Sequence, residues 1–560
     1  MRKRLFSLAA AVAAILWASP AADACTNIIV TKGASKDGSV MVTYSADSHV
    51  LYGELYRTPA ADHAPGTMLK IFDWDSGRYM GQIPQIAHTY STIGNMNEHQ
   101  LIITETTFGG LSQLRDKDAI MDYGSLIYVT LQRAKTAREA IDTLTSLANE
   151  YGYASSGESF TIADKNEVWI LELIGKGSKI VNGKNVNKGA VWVAVRIPDG
   201  YISSHANQAR IRQFPLDDPD NCIYSPDVIS FAKSEKLYKG KDADFSFADV
   251  YNPLDFSGMR GCEARVWSAF NRFADGMDEY VEYAMGHDTS KRMPLYVKPK
   301  ARISVKELAD MMRDHYEDTP MDMRYDIGAG GHELPYRWRP MTFTCDGVEY
   351  TNERAIATQQ TGFWLLGQAR SWLPDEVGGI LWFGVDDAAT SCLTPIYTSS
   401  YDVPECFRVG NGNLITYSPT AAFWIFSRVA NAAYLRYDLI SKDIQKVIDR
   451  RENQAIAEIP AIDKAALEML KVSPEAARQF LTNYSVDKAQ SMFDEWVALD
   501  NYLLVKYIDG NVKKEGPDGF LPNEFDATRA ASPDQPGYSE KWKKAVAEDA
   551  GETLKVVPVK

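Results

Sequence analysis

The sequence predicts a layered α+β fold, on three observations. β-rich hairpins occupy the stretches 25–47 and 90–108, two helices in tandem follow, and β patterning resumes up to residue 205. Strands, a helix pair and strands again are the order of elements expected when sheets are covered by helices.

In chain order, "CTNIIVTK" reads as a strand, "GASKDGS" as a turn and "VMVTYSAD" as an alternating, β-branched strand, which together make a hairpin. A second β region has a strand over Tyr90 to Ile93, a turn over Gly94 to Gln100 and a strand over Leu101 to Phe108. "MDYGSLIYVTLQRAKT" carries apolar residues at helical spacing; Thr136 and Glu139 form a capping box ahead of Ala140, Ile141, Leu144 and Leu147, with the helix ending near Gly152. "SFTIADKNEVWILELIG" is two strands about Asp164-Lys165-Asn166, and "AVWVAVRIPDGYISSH" two more about Pro198-Asp199-Gly200. Beyond Pro215 the pattern loosens, with helical readings near Phe270 to Tyr283 and Ser304 to His315 and a strand at "GGILWFGVD". From about Pro419 to Lys506 the composition is strongly helical, and the tail from Lys513 is polar and weakly patterned. The expected division is a leader over 1–24, a main domain over 25–418 and a mainly helical extension over 419–560.

The leader has a basic start (Arg2, Lys3, Arg4), an apolar run from Leu5 to about Trp17, and Ala22 and Ala24 at the alternate positions that a signal peptidase reads. Its apolar run falls short of the roughly 18 to 20 residues of a membrane span, as does every later stretch. Export to a periplasmic or extracellular location is expected, without an integral membrane segment. A formal charge of −14, with no Lys/Arg cluster outside the leader, argues against nucleic acid as a partner. The eight histidines and six cysteines form no zinc-type spacing, so neither a metal nor another cofactor is expected. If Cys25 stays free, the other five cysteines make at most two disulfides; Cys392 with Cys406 and Cys222 with Cys262 are the preferred pairs. A homo-oligomer is left open.

Cleavage after Ala24 would make Cys25 the first residue, with a thiol and a free α-amine on the same carbon. Their ordinary pKa values, about 8.5 and about 7.7 to 8.0, let the amine take the thiol proton directly or through one water. The thiolate attacks carbonyl carbon to give a tetrahedral intermediate and then a thioester, provided that donors meet the oxyanion. Asn97, Thr107 and Asn207, at strand ends, are candidate donors, and Asp47, at the far end of the first hairpin, is a candidate to hold the protonated amine.

"CTNIIVTKGASKDGSVMVTYSAD", "MNEHQLIITETTF", "SSHANQARI" and "CEARVWSAFNRF" resemble the N-terminal-nucleophile cysteine hydrolases of the dipeptidase A family, with bile-salt hydrolases and penicillin V acylases as more distant relatives. "LWFGVDDAATSCLTPIY" and "VPECF" are similar to the distal part of those dipeptidases, so the resemblance runs from Cys25 to roughly residue 415. It implies a four-layer αββα fold, amide-bond hydrolysis and Cys25 as nucleophile. It also implies a catalytic role for Asp47 at the amine, for Asn207 near the oxyanion and for Arg265 as the late arginine. The sequence departs at Tyr44, where the acylases place an arginine, and at Thr107, where they place an asparagine; both argue against bulky apolar acyl groups.

The expectation is an exported cysteine dipeptidase acting on dipeptides or short peptides. Tyr44, Glu105, Thr107 and His205 are candidates for lining the substrate site, with Glu105 and Arg265 the candidates for the substrate's ammonium and carboxylate. The amine already supplies a base, so His205 and His99 are not needed as one. An acylase acting on a non-peptide amide is the alternative within enzymes. A ligand-binding lipoprotein acylated on Cys25 is the alternative outside them, although Ala22 and Asp23 stand where lipoprotein signals carry Leu and a small uncharged residue.

Overall fold

The computed structural model describes residues 25–558. The signal-peptide expectation, on residues 1–24, lies outside them. The first hairpin forms as expected, from β1 (Asn27–Val30) and β2 (Val40–Asp47). β3 (Ile102–Gly109) follows, then α1 (Tyr123–Leu131) and α2 (Ala137–Tyr151), β4 (Gly157–Ala163), β5 (Val168–Gly175), β6 (Ala190–Arg196) and β7 (Ile202–His205). The distal part contributes α3 (Ala264–Phe273), α4 (Val305–Met311), β8 (Thr361–Ala369), β9 (Gly379–Val385), β10 (Thr394–Tyr397), α5 (Ala422–Leu435), α6 (Tyr437–Leu470) and α7 (Pro474–Tyr507).

Two large antiparallel sheets organise the molecule. The seven-stranded sheet runs Tyr296–Val297, β7, β1, β2, β8, β9, β10, and the eight-stranded sheet runs Cys222–Tyr224, β6, β5, β4, β3, Met96–Asn97, Thr92–Ile93, Arg57–Thr58. Strand alternation sorts their side chains into separate cores. Val40, Val42, Leu365 and Phe383 share one core with Ile102, Ala163, Ile170 and Val193 of the other sheet. The opposite faces are Met41, Trp364, Leu366 and Trp382, with α3 and α4, and Ile103, Phe160, Leu171 and Trp192, with α1 and α2.

Several local expectations resolve differently. Thr136 caps α2 by accepting the Glu139 N–H, but the Glu139 carboxylate reaches back to the Lys135 N–H (2.8 Å) rather than to that of Thr136. The strands about Pro198-Asp199-Gly200 do not pair with each other: β6 belongs to the eight-stranded sheet and β7 to the other, so this turn carries the chain between sheets. The two preferred disulfides are absent; Cys222, Cys262, Cys392 and Cys406 are all free thiols. The Cys392 and Cys406 sulfurs instead lie against the carbonyls of Leu393 and Ala489.

The helical extension shares the core between the sheets. Phe426 of α5 and Trp496 of α7 stack with ring centroids 4.7 Å apart, and both belong to the cluster that holds Val42 and Ile170. Arg370 at the end of β8 pairs with Asp463 of α6, and Arg313 after α4 with Glu452 of α6 at 2.6 Å. Among the described residues, no helix is long and apolar enough to cross a membrane. Trp496→Ala is expected to cost about 3–5 kcal/mol through the cavity it leaves. Urea unfolding followed by tryptophan fluorescence and by circular dichroism checks this: one coincident, earlier transition is expected, and loss of the extension's signal alone would contradict the shared core.

Candidate active site

Cys25 stands just ahead of β1, buried at 4 % exposure. Its position is fixed from behind by Arg265 of α3. All five N–H donors of this guanidinium are used: Nε to the Gly261 carbonyl, Nη1 to the Cys25 carbonyl (2.6 Å) and Thr26 Oγ1 (2.9 Å), and Nη2 to the Ala206 carbonyl and Asn207 Oδ1 (2.9 Å). Arg265 therefore has no donor left for a substrate carboxylate, which corrects that expectation. Asn207 has φ 60°, in the left-handed region that Asn adopts more readily than most residues. Its Nδ2 donates to the Thr107 carbonyl at 2.8 Å, joining the end of β7 to β3.

On the other side of the thiol, Tyr44 donates to Glu105 Oε1 at 2.6 Å, and the Cys25 sulfur lies 3.7 Å from the same oxygen and 3.9 Å from the Tyr44 hydroxyl. Thr107 Oγ1 donates to Glu158 Oε1 (2.8 Å), so its hydroxyl serves a buried carboxyl. The Oε2 atoms of Glu105 and Glu158 find no donor among the described residues unless one of the two carboxyls is protonated toward the other. Burial pushes Glu105 up to about 7, although the Tyr44 hydroxyl opposes the shift. Burial and the nearby Glu105 push Glu158 well above the carboxylate range. Both carboxyls are thus held above the ordinary carboxylate range, Glu158 because Glu105 adds to its burial.

Asp47, at the end of β2, is buried beside a cation that the sequence does not flag. Arg354 donates to its Oδ2 at 2.6 Å and Thr361 to its Oδ1 at 2.7 Å. Other expected site residues lie elsewhere. Both ring nitrogens of His205 are engaged, by Thr106 Oγ1 and Thr161 Oγ1 at 2.7 Å each, so it bolts one sheet to the other. Burial and Arg210 lower its pKa to about 3, which keeps it neutral. Asn97 donates to the Leu131 and Ala134 carbonyls at the end of α1, away from the thiol. His99 pairs with Asp375.

A cavity of about 210 Å³ opens at Cys25, small against the roughly 300–1,000 Å³ of pockets for drug-sized ligands. Its walls include Tyr44, Asp47, Glu54, Tyr56, Trp74, Asp75 and Tyr123; Glu105 stands behind this wall rather than on it. Trp74, Asp75 and Tyr123 were not legible as site residues: "FDWDSGRY" signals only a turn, and Tyr123 falls in the stretch that reads as a helix. A larger cavity, about 600 Å³, lies among α5, α7 and the residues 509–538, and no cysteine, serine or threonine is among its lining residues. Among the described residues, no group of His, Cys, Asp and Glu side chains is arranged to hold a metal ion.

The description "Peptidase family C69" belongs to the family model that matches residues 57–450. Among curated proteins, the "Probable dipeptidase" of Latilactobacillus sakei is 23% identical over 465 residues, covering 79% of this chain and 88% of that protein. The "Probable dipeptidase" of Salmonella dublin is 25% identical over 396 residues (67% and 81%), and the "Probable dipeptidase A" of Streptococcus pyogenes serotype M3 is 22% identical over 500 residues (84% and 96%).

Removing one member of a buried ion pair costs more than the pair contributes, because the other charge is left without its partner. Arg354→Ala is accordingly expected to destabilise the protein by about 3–5 kcal/mol, read from its urea midpoint. Adding Asp47→Asn to that variant should recover part of the loss; an additive further loss would contradict the pairing.

Proposed function

The chain belongs to peptidase family C69, and from that premise we propose that it is an exported cysteine dipeptidase in which Cys25, exposed as the first residue by cleavage after Ala24, is the nucleophile. The observation that carries the reading is the placement of the Cys25 thiol at the cavity, with its own carbonyl held by Arg265. The two facing sheets with helices against their outer sides support the four-layer αββα arrangement of N-terminal-nucleophile hydrolases.

In the proposed mechanism the Cys25 α-amine takes the thiol proton, and the thiolate forms a C–S bond to the scissile carbonyl carbon. The C=O electron pair moves to the oxygen, where Asn207, oriented by Arg265 through Oδ1, is the assigned donor. Collapse breaks the C–N bond while the ammonium of Cys25 protonates the leaving amine. Water, deprotonated by the same amine, then hydrolyses the thioester and restores the thiol. Asp47 is assigned to steady the charged form of that amine. Glu105 is assigned as a positioning residue for Tyr44 and the thiol, and its Oε1 accepts their hydrogens more strongly as a carboxylate than as a neutral carboxyl.

Three outcomes follow. N-terminal sequencing of the exported protein should begin at Cys25, and Cys25→Ser should lose nearly all dipeptide hydrolysis; near-normal turnover would refute the nucleophile, and a diacylglyceryl mass on Cys25 would support the lipoprotein instead. Activity on penicillin V or conjugated bile acids without dipeptide cleavage would favour the acylase. Because the Glu105 pKa is raised to about 7, its carboxylate is present above that pH and lost below it. kcat/KM for a dipeptide should therefore rise through about pH 7, and Glu105→Gln should flatten that limb; an unchanged pH profile in the variant would remove Glu105 from this role.

A further inference from the structure

Building on the peptidase reading, we propose that Glu158 is a positioning residue held as a neutral carboxylic acid, whose O–H donates to Glu105 and so keeps the Glu105 carboxylate turned to Tyr44 and the Cys25 thiol.

Strand register brings the two carboxyls together. In the ladder between β3 and β4, Thr107 stands opposite Glu158 and Glu105 opposite Phe160, so both glutamates project from one face of the sheet as diagonal neighbours. The ladder slips between Thr107 and Gly109, and a bulge of this kind re-aims side chains at a strand end. Both carboxyls are buried. Glu158 also reaches the other half of the site: Thr107, whose hydroxyl donates to it, offers its own carbonyl to Asn207 Nδ2 at 2.8 Å. One buried acid thus braces the residue beside the thiol and the assigned oxyanion donor.

The hydrogen bonds assign the proton. Glu105 Oε1 accepts the Tyr44 hydroxyl (2.6 Å) and lies 3.7 Å from the Cys25 sulfur, whereas Glu158 Oε1 accepts the Thr107 hydroxyl alone (2.8 Å). The two Oε2 atoms are buried and meet no other donor among the described residues. The groups that bear most on the pair bring no positive charge. Asp75 acts on both carboxyls, Tyr123 and Tyr128 of α1 face Glu105, the Tyr153 hydroxyl faces Glu158, and β5 sets Leu173 opposite it. Two carboxyls buried together without a cation do not both ionise, and the proton stays on the one whose charged form is less well met. Burial and Glu105 accordingly raise Glu158 well above the carboxylate range; burial raises Glu105 too, but the Tyr44 hydroxyl opposes it. A carboxyl kept neutral by an apolar site is a hydrogen-bond donor at neutral pH.

The test follows kcat/KM of the mature enzyme for L-alanyl-L-alanine across about pH 5 to 9. Glu158→Gln keeps an acceptor for Thr107 and supplies a neutral N–H donor toward Glu105, so its profile should overlay that of wild type, with kcat/KM within about 3-fold. Glu158→Leu removes the donor, so the rise in kcat/KM should move up by about one pH unit and recover at the alkaline end. Independently of turnover, the infrared C=O band of a buried protonated carboxyl should be present in wild type at about pH 8 and missing from Glu158→Gln. Thermal midpoints show whether the Leu variant folds; if it does not, Glu158→Gln and the infrared band decide. A Glu158→Gln rise displaced to lower pH, as loss of a negative neighbour would produce, overturns the proposal. So does an infrared spectrum that the substitution leaves unchanged, or an unmoved profile in a folded Glu158→Leu. If wild type hydrolyses no dipeptide while the band is present and lost on substitution, the dipeptidase reading falls and the neutral Glu158 stands.

Discussion

The site depends on a single buried guanidinium. Arg265 leaves α3, on the outer face of the seven-stranded sheet, and reaches the strand ends to bind the Cys25 carbonyl, Thr26, the Ala206 carbonyl and Asn207. A buried guanidinium is tolerated only when its donors are met, and here the acceptors come from the start of β1 and the end of β7, which pair in register from Asn27 opposite His205. Meeting that requirement fixes three things together: where the Cys25 backbone begins, how Asn207 is turned, and how α3 approaches the sheet.

The two sheets are joined near this point by polar contacts as well as apolar packing. Asn27 donates to the Glu105 carbonyl at 2.7 Å and is bonded to Thr104, and His205 is clasped by Thr106 and Thr161. Each of these groups is buried, so a slip in register between the sheets would leave several of them unsatisfied. The consequence is a closely held position for the thiol; for any catalytic group, a displacement of about 1 Å can cost two orders of magnitude in rate. Charge is also divided about Cys25. Arg265, Arg354 and the more exposed Arg339 gather about Asp47, while Glu54 and Asp75 line the cavity and Glu105 and Glu158 are buried behind its wall.

Much of the fold was legible because it is written in local periods. Alternation marked β1 to β5, the 3.6-residue spacing marked α1 and α2, and Thr136 marked the start of α2 within the chain itself. What failed did so where an outcome depends on partners distant in sequence. The turn at Pro198-Asp199-Gly200 reads like a hairpin turn, yet its strands join different sheets, since nothing in a turn tells which strand its neighbour will pair with. His205 and Asn97 looked like site residues by type and were taken up by hydroxyls and helix carbonyls.

Element types, the α+β class and the prominence of Cys25 were legible along the chain, because strand and helix patterns and the small residues ahead of Cys25 are features of neighbouring positions. It took the tertiary arrangement to bring Arg354 to Asp47 across 307 residues, to bury Glu105 beside Glu158, and to carry a turn tip with Asp75 to the cavity. Such partners are chosen by how sheets and helices stack and which buried charges must be met, and no spacing along the chain encodes that.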